Sequence, residues 1–188
     1  MGLAYFQMPP EALAALKPLI AQHESDILGP RARGYFFDRP DEYDYVSVQQ
    51  VARSLYDLGV AGAQASLELS ENEAHSLSML DFELPGDDLE FPPAPFMASA
   101  APEQVRRYLR FIQRKLGPTP EGAAARVEAT SNDPRYTGYL KHQVRNLRVA
   151  LPKVWRFFEA AERAGAGVLV VDLRARDVEI PEAVELAY

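Results

Sequence analysis

Apolar residues in this chain recur mostly three and four positions apart, the period of an amphipathic helix, with short continuous apolar runs near the two ends. Leu3 to Phe6 is the first run and predicts a buried strand. Pro10 then suits the first turn of a helix, where a missing N–H costs nothing, and Leu13, Leu16 and Ile20 share one face. Pro18 should kink or end that helix early, because its ring collides with the preceding turn. Residues 29–45 are rich in Gly, Pro, Asp and Tyr, the composition of an ordered surface loop. Ser47 and Gln50 have the spacing of a capping box. Val48, Val51, Leu55 and Leu58 would form the core face of the helix they open, and Gly59 is a natural stop.

Residues 78–84 alternate loosely and predict a strand. Pro85, Pro92, Pro93, Pro95 and Pro102 break up the following stretch, which reads as a loop. From Pro102 a helix is expected, with Val105, Leu109, Ile112 and Leu116 on one face and Gly117-Pro118 ending it. A short helix is expected around Glu121 to Glu128. The longest should run from about Tyr136 to Ala164, with Leu140, Val144, Leu147, Leu151, Val154, Phe158 and Ala161 as its seam. That seam suits a core helix, and a dimer stripe is the alternative. Trp155 and Phe157 lie off the seam and would either widen the core face or mark a contact surface. Pro152 should kink the helix and Gly165 should cap it. Gly167 to Leu173 is the clearest strand, apolar on both faces and therefore central. The predicted fold class is α+β, a helix-rich single domain around a small sheet. That sheet includes the N-terminal strand and the strand near residues 167–173. Residues 1–173 form the domain and 174–188 a C-terminal extension.

Charge changes this picture more than overall composition does. Residues 1–100 carry 5 Lys+Arg against 16 Asp+Glu, a balance of −11; residues 101–188 carry 15 against 11, a balance of +4; together they give the net −7. The two halves either pair within the fold or present an acidic surface to a cationic partner. There are no cysteines, which removes disulfides, thiol nucleophiles and thiolate metal ligands and suits a reducing compartment. No secretion signal or membrane span is expected, so a cytoplasmic location follows.

The strong chemical motifs are missing. There is no phosphate loop, no Gly-x-Ser-x-Gly elbow and no His-Glu-x-x-His. Of the three histidines, His23 lies near Glu24 and Asp26, and His75 follows Glu71 by four residues; both read as solvated surface groups beside a weaker metal reading. Asp172 at the end of the best strand is a common place for a catalytic carboxylate, but no partner residue is in view. No cofactor and no metal are therefore expected. Residues 106–163 hold 13 Lys+Arg and 5 Asp+Glu. Arg106, Arg107, Arg110, Arg114 and Lys115 lie on one predicted helix, and Lys141, Arg145, Arg148, Lys153 and Arg156 on another. They fill the polar positions of amphipathic helices, and the acidic total opposes nonspecific nucleic-acid binding, so nucleic acid is the disfavoured partner.

The order of elements resembles the YfbM-like family of small bacterial proteins of unknown function. The resemblance is carried by Met1-Gly2, Tyr5-Phe6 and Pro9 to Leu16, and by Tyr45 to Val48 through Leu55 to Gly59 and Gly62. It continues through Ala101 to Val105, Tyr139-Leu140, Phe157 to Gly165 and Val168 to Val171. The tryptophan typical of that family's second helix has no counterpart, since Trp155 is the only one. The resemblance implies an α+β domain in bacterial cytoplasm and brings no catalytic residues. Small acidic proteins of this general kind also occur as immunity partners of secreted toxins, an analogy of class.

The expected function is therefore non-enzymatic binding, in its most specific form an immunity protein that neutralises a toxin. Its partner would be a cationic toxin domain met by two acidic loops. The first holds Asp38, Asp41, Glu42, Tyr43, Asp44 and Tyr45, and the second Asp81, Glu83, Asp87, Asp88 and Glu90. Tyr35, Phe36, Phe37, Tyr43 and Tyr45 could serve as aromatic anchors. Two alternatives stand beside it: a small enzyme using carboxylates with His75 or His142, and a nucleic-acid-binding regulator using the Arg-rich helices. Oligomeric state is not legible in the sequence.

Overall fold

The computed structural model describes residues 2–21, 45–78, 99–131 and 138–177. Among these, strands β1 (Leu3–Met8), β2 (Ala65–Leu69), β3 (Ser99–Ala100) and β4 (Gly167–Asp172) form one sheet in the order β2-β1-β4-β3. Every pairing is antiparallel; Tyr5 lies opposite Leu67 on one side and Val170 on the other. β1 and β4 are the central strands, as their apolar runs Leu3 to Phe6 and Val168 to Val171 require. Their alternation sends Leu3, Tyr5, Val168 and Val170 to one face and Ala4, Phe6, Met8, Leu169 and Val171 to the other.

Helices cover both faces. The first helices are α1 (Pro10–Ala15), α2 (Tyr45–Gly62) and α3 (Glu71–Ser78). After them come α4 (Pro102–Leu116), α5 (Pro120–Ser131) and α6 (Gly138–Ala164). α1 and α2 pack on the Phe6 face through Leu13, Ala52 and Leu55. α3 to α6 pack on the Tyr5 face through Leu77, Leu109, Ala123 and Phe158, among others. The fold is a helix-rich α+β domain, three layers deep.

Local chemistry explains the element ends. Pro18 stops α1: Leu16 caps it, and a separate helical turn over 17–21 follows. Thr119 Oγ1 accepts the Gly122 N–H at 3.1 Å and starts α5. Gln104 Oε1 accepts the Ala101 N–H at 2.7 Å at the start of α4. α6 ends in a Schellman motif, with Gly165 N–H to Glu162 O at 3.0 Å, Ala166 N–H to Ala161 O at 2.9 Å and Gly165 at φ 63°.

Some expectations are corrected. α2 begins at Tyr45, so Ser47 and Gln50 lie within the helix instead of capping it. Gly59 does not stop α2, which runs on to Gly62. It sits under the Phe6 ring, where a Cβ would come 2.5 Å from Cδ2. With Gly59 facing the core beside Ala52 and Leu55, Leu58 turns outward and is 42% exposed. β2 and α3 were not predicted. The strand expected at 78–84 falls outside the described residues except for Ser78, which ends α3. On α6, Leu147, Leu151, Val154, Phe158 and Ala161 are buried in the core. Trp155 and Phe157 join them, so the core face is simply wider than the seam.

Candidate functional site

α4 has two faces of opposite character. Val105, Tyr108, Leu109 and Ile112 are buried against the sheet and α6. Positions at this spacing leave Arg107, Arg110 and Arg114 together on the outer stripe, three and four residues apart, and all three are exposed. At 1.5 Å per residue they span about 10 Å of the helix axis. With Gln113 they line an open groove of about 610 Å³, and no carboxylate is among its described lining residues.

Several other cations of the basic half meet carboxylates. Arg106 pairs with Glu162 at 3.4 Å, Arg148 with Glu128 at 2.9 Å, Lys153 with Glu73 at 2.6 Å and Arg156 with Glu121 at 2.6 Å. These are surface pairs, worth about 0–1 kcal/mol each, so their main effect is to cancel charge locally. Arg107 and Arg110 have no such partner among the described residues. Among the described residues the basic block is thus partly matched, while Arg107 and Arg110 on α4 and Arg145 on α6 are exposed without a carboxylate partner.

The two halves of the chain do pair in places. Lys153 reaches Glu73, and Arg176 reaches Glu68 at 3.7 Å. Glu73 also accepts from Ser70 N–H and Ser70 Oγ, both at 2.9 Å. Burial alone would raise its pKa, but the bonds from Lys153 and Ser70 outweigh it and hold the carboxyl below its ordinary range. A second cluster fastens the 3₁₀ turn Leu173–Asp177 to α2 and β2. Arg53 binds Asp57 through both carboxylate oxygens and donates to the Arg176 carbonyl, while Arg176 also meets Asp177. Leu173, the last residue of the expected domain, packs against the Phe6-side core, and Arg176 beyond it is held by Arg53 and Glu68.

The residues singled out for toxin binding are mostly not placed. Asp38, Asp41, Glu42, Tyr43, Asp44, Asp81, Glu83, Asp87, Asp88 and Glu90 lie outside the described residues, as does His23. Tyr45 opens α2. Glu71 and His75 share α3, and His142 is on α6. Asp172 ends β4, opposite Leu3. Among the described residues no group of three or more His, Asp or Glu could hold a metal ion. No helix among them is long and apolar enough to cross a membrane. Comparison with protein-family models, with curated proteins and with solved structures finds no match.

Proposed function

We propose that this protein acts by binding an anionic macromolecular partner through the arginine face of α4. One observation carries the proposal: Arg107 and Arg110 are left outward and unmatched, in a groove they share with Arg114 and Gln113, while neighbouring cations are neutralised by carboxylates. Guanidinium groups are weakly hydrated and offer a planar fork of donors, so a row of them suits repeated anionic groups. Retention on heparin, a sulfated polyanion, tests it. The protein should be retained at low salt, and Arg107→Glu with Arg110→Glu should abolish retention while leaving the circular dichroism spectrum unchanged. Absence of retention at low salt would sink the proposal.

A toxin-neutralising immunity role is the second reading. Its support is the acidic excess of residues 1–100, most of which belongs to the segments bearing Asp38 to Asp44 and Asp81 to Glu90. Its test is growth rescue when the chain is co-expressed with the product of an adjacent gene. Failure of rescue together with failure to co-purify would remove it. Kinship with the YfbM-like family and a cytoplasmic location belong to the same proposals. They rest on the sequence resemblance carried by the motifs quoted above and on the absence of cysteine.

A further inference from the structure

We propose that the partner of the α4 groove is duplex DNA, with α4 lying in the major groove and its arginines on the phosphodiester backbone. This rests on the reading of α4 as an anion-binding face. Three features favour DNA over an acidic protein. First, a duplex carries one charge per about 1.7 Å of axis, so a cationic stretch of about 10 Å always faces several phosphates. An acidic peptide would need carboxylates in register with positions 107, 110 and 114. Second, Gln113 stands among the arginines in the same groove. Gln pairs bidentately with the adenine edge, and the major groove admits an α-helix. Third, after Glu103 in the first turn, α4 carries no carboxylate to repel a phosphate.

The net charge of −7 weakens long-range attraction. At physiological salt the Debye length is about 8 Å, so the groove's own guanidinium groups dominate the local potential. Binding should therefore be short-ranged and steeply salt-dependent.

The experiment is fluorescence anisotropy of the full chain with a labelled duplex of about twenty base pairs, the corresponding single strand and a polyglutamate peptide, at 50 and 200 mM salt. For two phosphate contacts on a duplex, from Arg107 and Arg110, affinity should fall about 12-fold between the two salt concentrations. Arg107→Ala with Arg110→Ala removes both, and this salt dependence should disappear. Gln113→Ala should leave the salt dependence unchanged and flatten any preference among duplex sequences. Preference for the single strand or for polyglutamate overturns the DNA assignment. So does heparin retention that depends on Arg107 and Arg110 without duplex binding, an outcome that leaves the anionic-partner reading standing. Loss of heparin retention as well removes both.

Discussion

The Tyr5 hydroxyl is fully buried and has no hydrogen-bond partner among the described residues, while its ring meets Phe157 and Phe158 edge-on at 6.2 Å. Burial pushes its pKa well above the usual tyrosine range, so it stays neutral. An orphaned buried hydroxyl costs about 1–3 kcal/mol, and the ring is what the core uses. Tyr5→Phe should therefore raise stability by about 1 kcal/mol, seen as a higher urea midpoint with an unchanged slope. Gly59 makes the opposite case. With Phe6 where a Cβ would go, Gly59→Ala should cost about 1–3 kcal/mol despite the better helix propensity of alanine. A midpoint equal to or above wild type would show that α2 can shift away from β1 freely. Neither residue's role was legible in the sequence. Tyr5 looked like one more strand residue, and Gly59 looked like a helix stop. A glycine at the point of closest helix–strand approach has the same sequence context as a C-cap.

At the scale of elements, the long, strongly periodic segments were legible. The helices starting at Pro102 and near Tyr136 and both central strands lie where their apolar positions put them. β2 and α3 were missed for identifiable reasons. β2 is a five-residue edge strand with three exposed residues, so its apolar alternation is faint. α3 is only eight residues long. A signal for it existed: Ser70-Glu71-Asn72-Glu73 is a capping box, in which Glu73 N–H reaches Ser70 Oγ at 3.3 Å and Ser70 N–H reaches Glu73 Oε2. The Ser47–Gln50 spacing has the same form, and hydrophobic periodicity alone cannot rank two such boxes. Ser70→Ala should cost about 1 kcal/mol. Glu73 adds a pH dependence. Its folded pKa is depressed, so its contribution is complete above the unfolded value of about 4.3 and is lost as pH falls through the lower folded value. Urea midpoints measured across that acidic window should show this loss in wild type. In Glu73→Gln that component of the decline should be missing; identical declines would show that the carboxylate contributes nothing there.

For the whole molecule, the division into an acidic and a basic half was legible by counting, but its meaning was not. Counting cannot tell which cations meet carboxylates after folding, because Lys153–Glu73 and Arg156–Glu121 join residues 80 and 35 positions apart. Among the described residues folding pairs Arg106, Arg148, Lys153 and Arg156 and leaves Arg107 and Arg110 of α4 outward, and these are the cations that the binding proposal uses. A matched charge control separates that surface from net charge. Arg148→Glu with Arg156→Glu changes the total by the same amount as Arg107→Glu with Arg110→Glu, but at cations already paired. The most direct measurement is the salt concentration that elutes wild type and these two variants from heparin. Location on α4 predicts retention for wild type and the paired-site variant, and none for the α4 variant. Equal loss in both variants, or no retention of wild type at low salt, would contradict it.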